Sequence, residues 1–384
     1  MSAQKPIDII ITGDFCPQHR VETLSTSQQA SKIYDDEILK VLTNKDLSIT
    51  NLECPLTKGG KPIVKVGPNL KASPASIEAL SVAKFDIATL ANNHIMDQGD
   101  EGMRDTVETC HNAGIKTVGV GNTLAEAQRI LYSKVNSQTI AIINAADQEF
   151  CVAEESSAGA NPIDLPYLYS QISEAKKNAD FVLLIVHGGN EHYHLPSPEL
   201  KRTYRFFIDI GADAVVSHHT HFASGYEVYK GAPIFYSLGN FNFDKAIKKA
   251  DNWYKGYFVK LSLLKGEVQA FTIYPYTQCI DEPIIKLMTG KLKEDYLKTI
   301  EEYNIIIKND NKLKESWHQF TKANQLMYYS SIFQLNKIER FLLKKKLLKS
   351  VINEGKYLPR LLNLYRCQSH RSAVIDILNR NLNK

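Results

Sequence analysis

The chain is short of the features that mark several large protein classes. Its six cysteines (Cys16, Cys54, Cys110, Cys151, Cys279 and Cys367) are scattered and form no C-x-x-C pair. That spacing argues against a disulfide framework and fits free thiols in a reducing compartment. No apolar run is long enough to span a bilayer. Residues 1–6 lead almost at once into a strand pattern, with no room for a cleavable signal, so a cytoplasmic location is expected. There is no internal repeat and no low-complexity segment. A net charge of +4 over 384 residues is too small to imply a nucleic-acid partner.

The composition is that of an ordinary globular protein long enough for a large α/β core and an appendage. The charge, however, is split. From Lys286 to the end there are 20 Lys and Arg against 9 Asp and Glu, or +11, which leaves 26 against 33, or −7, for the residues before it. Near Ile280 the pattern also changes from strands to helices, with helical periodicity expected at 291–304, about 311–328, 331–352 and 370–381. Both signals place a domain boundary at 284/285, with a basic helical extension over 285–384. In the third of these helices Leu335, Ile338, Leu342, Leu348 and Ile352 recur beside Lys344, Lys345, Lys346 and Lys349. Such a face either packs on neighbouring helices, makes an oligomer contact or lies on an anionic membrane surface.

Chemistry gathers in the first part, at the ends of strands. The apolar run at 181–186 stops at His187-Gly188-Gly189, as a buried strand does when it opens into a loop. Ser197-Pro198-Glu199 then reads as an N-cap, an N1 proline and an acidic first turn, and Gly211 closes that helix. The next short strand, 213–217, also releases imidazoles: His218-His219-Thr220-His221. Earlier strands deliver Asp14 after 7–12, Glu53 after 47–52 and Asn93-His94 after 85–90. Side chains at the carboxyl ends of neighbouring strands are how an α/β fold assembles a site. Asp97 reads as a cap for the helix that follows. Residues 149–161 read as a loop over the site, and Lys58-Gly59-Gly60-Lys61-Pro62 as an exposed turn.

Two carboxylates, an amide and three imidazoles suit a borderline divalent ion such as manganese, zinc or iron better than magnesium or calcium. Six such groups exceed one catalytic ion with an open position and suit two ions sharing a carboxylate.

The spaced motifs Gly13-Asp14, Asn51-Leu52-Glu53-x-Pro-Leu-Thr, Leu90-Ala91-Asn92-Asn93-His94-x-x-Asp97-x-Gly99 and His187-Gly188-Gly189-x-Glu191 resemble the CapA family. Gly211-Ala212-Asp213, His219-Thr220-His221 and Tyr236-Ser237-Leu238-Gly239-Asn240-Phe241 continue the likeness, over about residues 7–275. That family comprises capsule-synthesis proteins associated with poly-γ-glutamate and built on the calcineurin-like metallophosphoesterase fold. The resemblance implies a four-layer α/β/β/α sandwich with a dinuclear centre at one edge of its sheets. It implies that Asp14 holds one ion, that Glu53 bridges both, that Asn93 and His187 hold the second, and that His219 and His221 are divided between them. His94 is then the acid beside the leaving group, with Glu191 and Asn240 at the substrate. Three departures stand out: Cys16 where the superfamily usually has histidine, Glu53 in place of its bridging aspartate, and Gly188 where the family usually has tryptophan, which should open the pocket wall.

Two functions follow as expectations. One is a metal-dependent hydrolase acting on a phosphoester, or on an amide or ester link, in a small molecule or a cell-envelope polymer precursor. The other is a non-catalytic capsule-assembly component using the same fold. Keeping a proton donor at His94 favours the first, since a scaffold has no use for one.

Overall fold

In a computed structural model, residues 5–345 and 357–382 are described. The chain divides into two compact units, Met1–Trp317 and His318–Lys384.

The first unit is built on two stacked sheets. In chain order the strands are β1 (Ile7–Cys16), β2 (Leu47–Leu52), β3 (Ile87–Thr89), β4 (Lys116–Val118), β5 (Val120–Gly121), β6 (Leu131–Val135), β7 (Gln138–Ala146) and β8 (Gly159–Ala160). They continue with β9 (Phe181–His187), β10 (Ala214–His218), β11 (Tyr226–Tyr229), β12 (Ala232–Phe235), β13 (Asn240–Phe243), β14 (Lys255–Leu264), β15 (Glu267–Gln278) and β16 (Ile285–Leu287). The larger sheet runs β16-β15-β14-β1-β2-β3-β4, with β13 also paired to β1. The smaller runs β11-β12-β10-β9-β7-β6. At the centre of each, neighbours are parallel, so β1, β2 and β13 end together, as do β9 and β10.

Parallel central strands are buried on both faces, which explains the apolar runs 9–11 in β1 and 181–186 in β9. Ile9, Ile11, Ile49, Leu183, Ile185 and Val216 form the layer between the sheets. Ile10, Leu80, Phe85 and Cys110 pack the outer face of the larger sheet against helices that include Glu78–Val82 and Gly99–Asn112. On the smaller sheet Ile172, Tyr204 and Phe207 cover the outer face from the helices Leu165–Asn178 and Pro198–Asp209. The latter is capped as its sequence predicts: Ser197 accepts from the Leu200 N–H at 3.1 Å, Pro198 sits in the first turn, and Gly211 follows the helix at φ 120°. The architecture is the expected mixed α/β sandwich of four layers.

Two strands of the larger sheet escape the sequence pattern. Asn240–Phe243 alternates asparagine with phenylalanine and offers no apolar run, yet all four residues are buried and the strand pairs with β1. Ile285–Leu287 is the other, and it bears on the division expected at 284/285. That position lies inside the first unit. Ile285 pairs with Gln278 and packs in the outer core, Ile300 reaches the layer between the sheets, and Ile307 and Leu313 join the core of the smaller sheet. Lys201, itself buried, donates to the Ile307 carbonyl and pairs with Asp310 at 2.8 Å. The switch from strand to helix is real, but these helices complete the sandwich before the second unit begins.

The second unit is helical. Its described helices include Lys337–Lys344, closed by a capping box between Asn336 and Glu339, and then Tyr357–Arg366 and Gln368–Leu382. Part of the expected helix 331–352 lies outside the described residues. Among those described, no helix is long and apolar enough to cross a membrane.

A chain ending at residue 284 strips four buried aliphatic side chains from the sandwich, each worth about 1.5–3 kcal/mol. The sum approaches the whole stability of a typical domain. We expect that fragment to be unfolded, and one ending at Trp317 to keep a cooperative urea transition. A folded 1–284 fragment overturns the boundary.

Candidate metal centre

Because β1, β2 and β13 are parallel neighbours, Asp14 lies in register with Asn51 on one side and Asn240 on the other. Gly13 makes this fit possible: a Cβ there would stand 2.0 Å from the Gly239 carbonyl, the group that accepts from the Asp14 N–H at 3.0 Å. From the opposite sheet, His187 and His218 end β9 and β10 in register with each other. His218 donates across to the Thr12 carbonyl at 2.9 Å and so ties the two sheets together at their common edge. The two residues that project imidazoles beyond it, His219 and His221, have φ of 91° and 59°. For a side chain larger than glycine this backbone is strained, typically by about 1–3 kcal/mol, and such strain concentrates at functional sites.

The result is two overlapping groups of buried side chains. Asp14, Glu53 and His221 offer ligand atoms within 4.8 Å of one another, and so do Glu53, His187 and His219. Glu53 belongs to both, at 3.7 Å from His187 Nε2 and 3.8 Å from His221 Nε2. Asn93 Oδ1 adds a donor atom 3.1 Å from His187 Nε2, and His219 Nδ1 stands at the same distance from that nitrogen. Cys16 is buried but belongs to neither group.

These residues fit divalent ions on their own evidence. Both Glu53 carboxylate oxygens are buried without a hydrogen-bond partner. An orphaned buried carboxylate is costly unless a cation completes it. His221 donates through Nδ1 to Asn240 Oδ1 at 3.0 Å, which leaves its Nε2 lone pair facing Glu53. Two acceptors facing each other call for a positive charge between them, and an imidazole fixed through its second nitrogen is the usual arrangement of a ligand histidine.

Several placements differ from expectation. Asn240, expected at the substrate, is fully buried; it orients His221 and donates to the Trp253 carbonyl at 3.3 Å. Glu191 stands exposed at the rim, 3.9 Å from His192 Nδ1. Asp97 does not cap the helix that begins at Gly99. Its buried carboxylate accepts from His94 Nδ1 at 2.6 Å, from the Leu70 N–H at 2.6 Å and from Lys65. Lys65 also lies 3.2 Å from His94 Nδ1 and 3.3 Å from the Asn93 carbonyl. Gly188 does not open the wall, since a Cβ there would meet the Asp147 carboxylate at 2.7 Å; that acid fills the space. Of the expected loop over the site, Glu149 reaches to 3.8 Å from His219 Nε2. Asn51, which donates to Asp14 Oδ1 at 2.8 Å and lies 3.2 Å from His187 Nδ1, was legible only as part of a motif.

In the metal-free chain burial pushes the Glu53 carboxyl well above the usual carboxylate range, helped by Asp14, and raises Asp14 as well. Burial, then the neighbouring His219, holds the His187 and His221 imidazoles well below their ordinary value. The folded chain therefore favours neutral forms of all four. For the raised acids, the stabilising contribution is present below the unfolded value and lost as pH rises through the folded one. For the depressed imidazoles, it is present above the unfolded value and lost as pH falls through the folded one. Protons therefore compete with a metal chiefly at the carboxylates. Added Mn²⁺ or Zn²⁺ should raise the melting temperature more at pH 8 than at pH 6, with proton release on binding. Glu53→Gln should abolish that gain, yet make the metal-free protein more stable at pH 8 by about 1–3 kcal/mol. Calorimetric melts at the two pH values check both; a variant that still gains from metal removes Glu53 from the centre.

The family model described as "Bacterial capsule synthesis protein PGA_cap" matches residues 8–245, a span that includes both groups of ligand side chains but not the helices that complete the sandwich. The protein named "PGA biosynthesis protein CapA" of Bacillus subtilis (strain 168) is 35% identical over 238 residues, 61% of this chain and 62% of that one. "Capsule biosynthesis protein CapA" of Bacillus anthracis is 35% identical over 213 residues, 53% of this chain and 52% of that one. The matches thus span about half to three-fifths of these curated relatives. Among solved structures, a hypothetical protein from Thermus thermophilus superposes on 71% of this chain and 99% of its own at 14% identity, with a TM-score of 0.44. With Asp14, Glu53, Asn93, His187, His219 and His221 all inside a match covering well over half of its length, the chain belongs to the bacterial capsule synthesis protein family PGA_cap.

Proposed function

We propose that the chain is a metal-dependent hydrolase of the phosphoesterase kind, serving the synthesis of a capsule or cell-envelope polymer. The observation that carries the reading is Glu53: a fully buried carboxylate, both oxygens unpartnered, shared by two groups of metal-ligating side chains. The names of the Bacillus relatives supply the biosynthetic setting.

Asp14, Glu53 and His221 hold one divalent ion, and Glu53, His187, His219 and Asn93 a second. The chemistry the ions supply when bound is activation of water and neutralisation of the charge that develops at the scissile centre. The protein does the rest. Asn51 fixes Asp14 and Asn240 fixes His221, so the ligands are preorganised and need not reorganise during reaction. His94, 6% exposed and next in sequence to Asn93, carries a proton to the leaving group. Asp97, bonded to its Nδ1, fixes which ring nitrogen faces the substrate, the part a third group plays for any general acid of this kind. Lys65 balances the Asp97 charge, so a buried carboxylate can stand there at tolerable cost.

His94→Gln keeps a polar side chain of similar reach and removes the titrating ring. Turnover of substrates with poor leaving groups should fall about 10²–10⁴-fold, with metal content unchanged. An activated aryl phosphate, whose leaving group needs little protonation, should lose much less. Manganese-loaded protein assayed on both classes, beside elemental analysis, decides the matter. An equal decline on both together with metal loss sinks the proton-donor role. No turnover of any phosphoester, amide or ester by metal-loaded wild type favours a non-catalytic assembly component.

A further inference from the structure

The loop that follows β13 carries a cluster of charge which the metal centre does not use. Phe243 and Trp253 form one buried aromatic wall, with ring centroids 5.2 Å apart and the indole N–H donated to the Phe243 carbonyl at 2.9 Å. On one side both rings touch His221, at 5.1 and 4.8 Å. The same pair of rings carries the ammonium of Lys245, 4.1 Å from the Phe243 centroid and 5.4 Å from that of Trp253. Lys249 adds a second ammonium 5.4 Å from the Trp253 ring. A candidate metal ligand and two lysines therefore neighbour the same aromatic wall.

Lys245, Lys248 and Lys249 fall within five residues, and none of them forms an ion pair among the described residues. The two acids of the same loop are already engaged: Asp244 takes a two-pronged bond from Arg20, at 3.0 and 2.7 Å, and Asp251 pairs with Lys255. Holding like charges together costs free energy that an anion in the adjoining cleft would recover. That cleft, about 830 Å³, is lined by Lys245, Lys248 and Lys249 together with Asp244, Asp251 and Asp281, and opens to solvent along the exposed residues 246–250. The ammonium groups sit on aromatic faces, which fixes them in place before any ligand arrives.

We propose that Lys245 and Lys249, seated on the Phe243–Trp253 wall, form a subsite for an oxyanion of the substrate other than the group being hydrolysed. The substrate is then an extended molecule with several carboxylates or phosphates, one of which is held in this cleft. This deepens the hydrolase reading and rests on it for the word substrate, but binding at the subsite can be measured without turnover.

The test titrates the metal-loaded full chain with three probes: γ-linked tetraglutamate, a glycerol phosphate tetramer and the uncharged, end-capped γ-linked tetramer whose α-carboxylates are carboxamides. Calorimetry gives affinity, and quenching of tryptophan fluorescence reports proximity, since Trp253 is one of only two tryptophans. We expect at least one anionic probe to bind, more weakly as salt rises, and the uncharged probe not to bind. Which anion binds more tightly separates carboxylate from phosphate recognition. Lys249 lies on an exposed loop, so Lys249→Gln should fold normally; it and Lys245→Gln should each weaken binding roughly tenfold, and Lys249→Arg should restore most of it. Lys134→Gln, the same charge change on β6 at the edge of the other sheet, should leave affinity unchanged. Equal affinity in the loop variants, equal weakening by Lys134→Gln, or no anion binding at all overturns the subsite. Lysine-dependent binding by a protein that hydrolyses nothing keeps the subsite and removes the hydrolase; turnover with lysine-independent binding does the reverse.

Discussion

A carboxylate buried without donors is the constraint on which the rest of the site depends. Glu53 stands at the end of β2 with no exposed surface, and the side chains closest around it are imidazoles and the neighbouring Asp14. Left to itself such a group either takes up a proton or destabilises the fold. The surrounding structure does not relieve it with a backbone N–H or a lysine, although relief of that kind is given to Asp97, three residues from His94, by Lys65 and the Leu70 N–H. Two buried acids at the same site are thus treated oppositely. One is neutralised by the chain and serves a histidine; the other is left open to a cation.

The sandwich is what makes that arrangement possible in space. Two sheets meet at an edge where their parallel strands all end, so ligands from β1, β2, β9 and β10 converge without long loops. The His218 bond to Thr12 holds the sheets in register there, and the positive φ values of His219 and His221 turn the next imidazoles inward. The close approach of Gly13 to Gly239 brings β13 beside β1 and with it Asn240, the partner that orients His221. Beyond β13 the same segment carries the aromatic wall and its lysines, so one stretch of chain holds both the partner that orients His221 and the lysine cluster.

The helices after β16 belong to this design rather than to an appendage. Ile300, Ile307 and Leu313 fill core positions, and Asn304 Oδ1 accepts from the Tyr226 N–H at 2.7 Å. Charge misled here because the basic residues of 286–317 lie on the solvent face of helices whose other face is core. A net-charge count does not distinguish the two.

By itself the sequence determined the strands that end at candidate ligands and singled out those candidates, because apolar runs broken by glycine, histidine or carboxylate report burial along a single element. It also determined the helix at Pro198–Asp209, whose cap and proline stand side by side at its start and whose closing glycine follows its end. Tertiary structure alone decided which neighbours those ligands have. That Asp97 serves His94 depends on residues 58–71, which lack regular structure and carry Lys65 back to the site. That Asn240 lies behind His221, and that Asp147 fills the space over Gly188, depends on strands distant in sequence coming side by side. Periodicity records which face of an element is buried; it carries no record of what is buried against it, since that is set by long-range pairing between segments whose local patterns are independent.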